Sequence, residues 1–199
     1  PNYNLVSLFA ARRGDSTDGS VYFSPPYDAE DFRADGVAER SSDRSRSFVL
    51  VVGGSGNGFV IPDRVFSQTL LESIEGIYEA VGGLDGLDWN ILVDEEPSTD
   101  EMIWIGNELK ATHGPGFLTM ASIIPHRRSD REFCRTAIDA GALDFCAPLF
   151  YGLPGLSAQR DVVENVKDWV GMIGEEHLVV GLGVHPDEQY FQRPEESKK

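Results

Sequence analysis

The sequence predicts an α/β fold of the (β/α)8-barrel type, in which parallel strands are joined by crossover helices, and three observations predict it. Apolar runs of strand length alternate with helical patterns almost to the end of the 199 residues. About six strand and helix units are recognisable, fewer than the eight of a full barrel. Polar residues recur where the strands end, as they do at a barrel mouth. We therefore expect a partial barrel over residues 1–184 and a polar tail over residues 185–199.

The first half of the chain predicts three strands and one long helix. The strands are expected at Leu5–Ala10, Phe48–Val52 and Leu84–Leu92. The helix from about residue 63 to residue 81 carries apolar side chains at helical spacing and ends at two glycines. A weaker helical pattern covers residues 28–40.

The second half predicts further strands and helices with recognisable starts. Ser98 with Glu101, and Ser129 with Glu132, match the capping-box pattern that begins a helix. The remaining elements are strands at Phe117–Ile123, Leu143–Phe150 and Leu178–Leu182, and a helix at Ser157–Ile173.

The composition limits the partners of the chain. Its 33 acidic residues exceed its 17 basic ones and give a net charge of -16, which repels phosphate backbones and anionic lipid. We expect no nucleic-acid partner, and since no apolar run approaches the roughly 20 residues of a membrane span, no membrane partner. The acidity is typical of a solubility or high-salt adaptation of the surface, and it also suits a neutral or cationic ligand. The first residue is Pro1 rather than methionine, from which we expect an excised domain, a processed product or a piece of a longer polypeptide.

Cysteine and histidine usage predicts no metal site and no cofactor. Cys134 and Cys146 lie among apolar neighbours, so two buried free thiols are expected, with a disulfide between adjacent elements as the alternative. The histidines do not fall into metal-binding spacings. Arg12, Arg127 and Arg128 follow predicted strands and are expected to be solvated surface charges rather than ligand contacts.

The run from Leu84 to Leu92 predicts a functional site. Because a strand shows successive side chains to opposite faces, Asp88, Asn90 and Leu92 share one face, opposite Trp89. Burying polar groups side by side is costly, which indicates that they have a role.

The same run resembles the signature of the family 18 glycoside hydrolases, the chitinases and their relatives, which reads D-G-hydrophobic-D-hydrophobic-D-x-E at the end of the fourth barrel strand. Asp85 and Asp88 match the first two acidic positions, Asn90 replaces the third, and Leu92 stands where the family has its acid. The likeness covers the family's second to seventh strands in order. The first and eighth have no counterpart, so we expect either an open or reduced barrel or one that other protein segments complete.

The resemblance implies a site without the family's chemistry. In the family the substrate's acetamido oxygen attacks the anomeric carbon while one glutamic acid protonates the leaving group, and leucine cannot donate that proton. We therefore expect a module that binds GlcNAc or chitin-type glycans, or a structural module, similar to the non-catalytic chitinase-like lectins. Its ligand-binding residues are predicted to be Asp85, Asp88, Asn90, Met120 and Tyr151.

Two alternatives remain open. If a bulge shifts the register of the strand, Glu95 or Asp94 takes the place of the acid, and the chain is an active glycosidase on GlcNAc-containing glycans. The other alternative is a scaffold domain of a larger cell-surface or virus-tail assembly. An extracellular, cell-surface or virion-associated location is expected in each case.

Overall fold

A computed structural model describes residues 4–14, 17–24, 46–91, 95–151 and 159–182. Within these ranges one six-stranded sheet has the order β2-β1-β3-β4-β5-β6. Its strands are β1 (Leu5–Arg13), β2 (Val21–Phe23), β3 (Ser47–Gly53), β4 (Gly86–Asn90), β5 (Leu118–Ile123) and β6 (Phe145–Pro148). The helices are α1 (Arg64–Ala80), α2 (Thr99–His113), α3 (Arg128–Asp139) and α4 (Gln159–Ile173). The helix predicted over residues 28–40 and the tail from residue 185 lie outside the described residues.

The sheet has the architecture of part of a (β/α)8 barrel, as predicted. Strands β1, β3, β4, β5 and β6 are all parallel, and helices lie between successive strands from β3 onward. A short 3-10 helix at Glu175–His177 follows α4. None of the helices in the described ranges is long and apolar enough to cross a membrane.

The two edges of the sheet differ from the prediction. The antiparallel strand β2, which pairs with the end of β1, was not predicted because three residues carry too short a pattern. The predicted strand Leu178–Leu182 is reduced to two isolated bridges, at Leu178 and Gly181. The apolar residues between those bridges are partly exposed, so the described sheet ends at β6.

Two apolar clusters cover the two faces of the sheet. The larger lies between the strands and the helices, and Trp89 is 1% exposed within it. Trp89 is therefore packed on the helix side, as the alternation in β4 predicted. The smaller cluster, of Val49, Met120 and Ala147, lies on the opposite face. In a (β/α)8 barrel that face is the interior, and it also carries the polar side chains of β4.

The second helix begins where predicted but for another reason. The hydroxyl of Ser98 makes no capping bond and accepts from the backbone amide of Ile61 instead. Glu101 accepts from Arg64 and Ser67 on α1. The capping-box prediction was therefore wrong here, because both side chains tie α2 to neighbouring segments of the chain.

The third helix also lacks its predicted capping box. Ser129 lies inside the first turn of α3, after an N-cap at Arg127. Asp130 supplies the contacts at this helix start, since its carboxylate accepts from the amide of Ile124 at 2.9 Å and from Arg127 at 2.6 Å.

The two cysteines form a disulfide. Cys134 on α3 and Cys146 on β6 are both fully buried, and their Cα atoms lie 6.2 Å apart. The expectation of free thiols was wrong, because α3 packs directly onto β6 and brings the two side chains to bonding distance.

Candidate functional site

The candidate site lies where the parallel strands end, on the face of the sheet away from the helices. Register places Gly53 of β3 beside Asn90 of β4, and Asp88 of β4 beside Met120 of β5. Three of the predicted ligand-binding residues, Asp88, Asn90 and Met120, therefore share one region of this face. In (β/α)8 barrels the carboxyl ends of the strands are where ligand sites are built.

Asp88 is the buried carboxylate of this region, with 4% of its surface exposed. Its oxygens accept from the backbone amide of Ser122 at 3.1 Å and from the Ser122 hydroxyl at 3.0 Å. These two bonds favour the charged form, but burial outweighs them and raises the pKa of Asp88 to about 6. The carboxyl group therefore holds a proton far more readily than an exposed aspartate.

Asn90 carries an unused acceptor at the end of the same strand. Its backbone carbonyl accepts from the amide of Gly54 at 3.1 Å. The side-chain Oδ1 is buried and has no hydrogen-bond donor among the described residues. Because an unpaired buried acceptor is costly, a ligand N–H or O–H placed here gains a hydrogen bond that the protein itself does not make.

Asp85 lies apart from this group. It precedes β4, so it is at the opposite end of the strand from Asn90, and its carboxylate accepts from the backbone amide of Phe48 at 2.8 Å. Its backbone carbonyl accepts from the amide of Leu118. These bonds tie β4 to β3 and β5 at Asp85, and the ligand contact expected for this residue stays a prediction.

Glu95 lies five residues beyond the end of β4. The pairing of β4 with both neighbours is regular over the strand, without the register shift that a bulge introduces. The amide of Glu95 donates to the carbonyl of Ile91 at 3.2 Å, and its own carbonyl accepts from Arg127 at 2.8 Å. Leu92 and Asp94 lie outside the described residues. Tyr151, three residues beyond β6, is half-buried.

Two exposed aromatic residues of this region were missed by the sequence analysis. Phe9 on β1 is 42% exposed, and its ring lies over Gly54, where an added Cβ would overlap the ring. Gly54 also has a φ of 107°, which favours glycine. Tyr22 on β2 is 53% exposed. No local pattern indicated these aromatic surfaces, because β1 changes register between Leu8 and Ala11 and β2 was not predicted.

The three arginines near the strand ends have different environments. Arg127 pairs with buried Asp130, and Arg128 is an exposed residue paired with Glu132. Arg12 differs from both, because its Nε is buried without a hydrogen-bond partner among the described residues, and its guanidinium lies 5.9 Å from the centroid of the Phe9 ring. The expectation of a solvated surface charge was therefore wrong for Arg12. It was also wrong for Arg127, whose side chain is 19% exposed and pairs with buried Asp130.

A cleft of about 400 Å³ lies elsewhere, on the outer side of the sheet between α3 and α4. It is lined by His126, Arg128, Arg131, Glu132, Arg135 and Met172. Arg131 stacks on Trp169 and Arg128 pairs with Glu132, so two of its three arginines already have partners. We place the functional site at the strand ends instead, where polar atoms are left unpaired. The described part of the chain contains no cluster of metal-binding side chains.

The chain has the fold of the family 18 glycoside hydrolases, which confirms the resemblance at the level of the fold. It is similar to the chitinase ChiC from Aspergillus fumigatus, with a TM-score of 0.75 and 16% identity over 98% of this chain and 73% of that one. A fungal endo-beta-N-acetylglucosaminidase of glycosyl hydrolase family 18 gives a TM-score of 0.75 and 15% identity over 97% of this chain and 71% of that one. A class V chitinase from Nicotiana tobaccum in complex with NAG4 gives a TM-score of 0.65 and 14% identity over 91% of this chain and 60% of that one.

The likeness is structural rather than one of sequence. No protein-family model matches the chain, and no curated protein matches it. The chain spans 60% to 73% of the three structures above and about half of two further similar chains.

Proposed function

We propose that the chain is a glycan-binding module for oligosaccharides of the GlcNAc or chitin type, built on the family 18 fold and lacking its hydrolase chemistry. The observation that carries this proposal is the buried, unpaired Oδ1 of Asn90 at the end of β4. Buried polar atoms in native proteins are nearly always paired. An acetamido N–H or a sugar hydroxyl is a suitable donor, since a few well-placed polar groups orient the ligand in such sites.

The chemistry of the described side chains favours binding over hydrolysis. Asn90 supplies hydrogen bonds without charge, and both oxygens of Asp88 already accept from Ser122. Leu92 stands in the sequence where the family has its proton donor. A positioned general acid supplies on the order of 10²- to 10⁴-fold in rate, so its replacement by leucine removes a large part of the expected activity.

The aromatic surfaces support a sugar ligand. Phe9 on β1 and Tyr22 on β2 are exposed, and aromatic rings commonly line ligand pockets. The likeness to the NAG4 complex supports N-acetylglucosamine oligomers as the ligand class. Tyr151, which follows β6, is proposed as a further contact.

Calorimetric titration with chitotetraose tests the proposal. We expect saturable binding, weakened at least tenfold by Asn90→Leu, which keeps the size of the side chain and removes its polar atoms. Tyr151→Ala is expected to weaken binding as well. Asn107→Ala is the matched control, because Asn107 is exposed on α2. Binding that is absent, or unchanged in Asn90→Leu, contradicts the proposal.

The glycosidase and scaffold alternatives give different results. Turnover of a chromogenic chitobiose substrate, abolished by Glu95→Gln or by Asp94→Asn, establishes the enzyme and overturns the proposal. If the chain shows neither binding nor turnover, the scaffold function remains, in which segments outside this chain complete the barrel.

A further inference from the structure

Within the described ranges, the guanidinium of Arg12 has no counter-ion. Its Nε is buried and unpaired, and no carboxylate of the described residues forms an ion pair with it. The centroid of the Phe9 ring lies 5.9 Å from the guanidinium carbon. Contact with an aromatic ring at this distance compensates a cation weakly, whereas a carboxylate offers charge-assisted and bidentate hydrogen bonds.

Arg12 and Asn90 lie in one row across the strand ends. Ala11 pairs with Val52, so Arg12 is level with the next residue of β3, Gly53, which pairs with Asn90. Two strand spacings put the Arg12 and Asn90 backbones about 10 Å apart. Gly53 has no side chain, and the ring of Phe9 lies over the next residue, Gly54. The row therefore places an unpaired cationic donor and an unpaired neutral acceptor on one face of the sheet.

Side-chain direction agrees with this arrangement. Ala11 packs in the core cluster on the helix side of the sheet, and alternation directs Arg12 to the other face, where Asn90 lies. Tyr22, which pairs with Arg12 across β1 and β2, is exposed on that same face.

The local charge of the row differs from that of the whole chain. Where the family signature has an aspartate, Asn90 is neutral, so the cation of Arg12 is not balanced within the row. The net charge of -16 is distributed over the molecule, and exposed charges are screened beyond about 8 Å at physiological ionic strength. A single anionic group beside Arg12 is therefore compatible with an acidic protein.

We infer that the ligand of this site is an acidic glycan, in which an N-acetylated sugar neighbours a sugar that carries a carboxylate. Asn90 receives a hydrogen bond from the N-acetylated unit, and Arg12 pairs with the carboxylate of its neighbour. This inference rests on the proposed function and specifies its ligand. It makes Arg12 the residue that selects acidic over neutral glycans.

The experiment compares three oligosaccharides by calorimetric titration: a hyaluronan hexasaccharide, in which GlcNAc alternates with glucuronate, the same hexasaccharide with its carboxylates methyl-esterified, and chitohexaose. We expect the free acid to bind at least tenfold more tightly than either of the others. The preference is expected to decrease as salt is raised from about 0.05 M to 0.3 M, because salt screens charge pairs.

Variants of Arg12 test the assignment of the carboxylate contact. Arg12→Gln is expected to abolish the preference for the free acid, and Arg12→Lys to retain part of it, because lysine keeps the charge without the bidentate geometry. Arg135→Gln, an exposed arginine of the outer cleft, is the control. Thermal unfolding of each variant separates a loss of folding from a loss of contact.

Each outcome has one interpretation. Equal affinity for the free acid and its ester, or a preference unchanged in folded Arg12→Gln, overturns the inference. Binding of chitohexaose without any preference for carboxylate overturns the inference and leaves the proposed function intact. Binding of none of the three overturns both. A polygalacturonate oligomer has carboxylates and no N-acetyl group. If it binds as tightly as the hyaluronan hexasaccharide, the site recognises anions alone, and the assigned ligand is contradicted.

Discussion

The carboxylate of Asp88 accepts two hydrogen bonds from one residue, Ser122. The amide donates to Oδ1 at 3.1 Å and the hydroxyl to Oδ2 at 3.0 Å, and the pair joins β4 to β5 on the face away from the helices. Even with two donors, burial raises the pKa of Asp88 to about 6. The strand ends thus contain a carboxyl group that changes charge in mildly acidic solution.

The first prediction concerns the pH dependence of stability. Because the pKa of Asp88 is raised from 3.8 to about 6 in the folded chain, the folded state binds this proton more tightly than the unfolded state. The stabilisation is complete below about pH 4 and is lost as pH rises through 6. Two pKa units correspond to at most about 3 kcal/mol.

Asp88→Asn tests this prediction in urea unfolding between pH 4 and pH 8. The variant is expected to gain stability relative to the parent chain as pH rises through this range, because the amide has no charge to bury. The comparison with the parent cancels the contributions of the other carboxylates. Asp100→Asn, at an exposed position on α2, is the matched control. The same pH-dependent gain in the control contradicts the assignment to Asp88.

The second prediction concerns Gly54 and the position of Phe9. A Cβ at residue 54 overlaps the Phe9 ring, and φ is 107°. Gly54→Ala is therefore expected to lower the unfolding free energy by about 1–3 kcal/mol and to displace the ring. Gly56→Ala is a matched control for positive φ, because an added Cβ there meets no atom within 4 Å. A similar loss of stability in both variants, measured by chemical unfolding, attributes the effect to backbone conformation alone.

The third prediction concerns the disulfide between Cys134 and Cys146. It closes a loop with a sequence separation of 12, for which restriction of the unfolded chain stabilises the fold by roughly 3 kcal/mol. Reduction is expected to lower the urea midpoint by a corresponding amount. The double variant Cys134→Ala with Cys146→Ala should show no response to reductant. Mass spectrometry of unreduced peptides checks the bond itself, and two free thiols in the folded chain contradict it.

The fourth prediction concerns Glu101, which accepts from Arg64 at 2.8 Å and from the Ser67 hydroxyl at 2.6 Å. Two hydrogen bonds, the one from Arg64 with the larger effect and the one from Ser67 with the smaller, hold the pKa of Glu101 below its ordinary value of 4.5. Because its pKa is lowered, the ionised carboxylate of Glu101 stabilises the fold above pH 4.5. This stabilisation is lost as the pH falls below that value. Glu101→Gln is expected to cost about 1 kcal/mol at pH 7.

The cost of Glu101→Gln should shrink when unfolding is measured below pH 4.5. Glu132→Gln is the control, because its pair with Arg128 is exposed and such pairs contribute little. A cost for Glu101→Gln that does not change with pH argues against the ionic contribution of this contact.

The prediction of β4 depended on a local pattern, the alternation of polar and apolar residues. Alternation along a strand is a property of the backbone, so the placement of Asp88 and Asn90 on one face, with Trp89 on the other, followed from the residues alone. The order of strands and helices followed likewise from periodicity. The capping-box prediction at Ser98 was wrong because Ser98 and Glu101 bond to residues outside their own helix, and a local pattern holds no information on such partners.

The sequence by itself determined the class of fold and the strand that carries the candidate site, because both depend on short-range periodicity. Tertiary structure alone decided that Ser122 donates to Asp88, that Phe48 donates to Asp85, and that Cys134 bonds to Cys146. It also placed Arg12 and Asn90 in one row. These relationships join residues distant in the chain, and they exist only after the strands have paired in register.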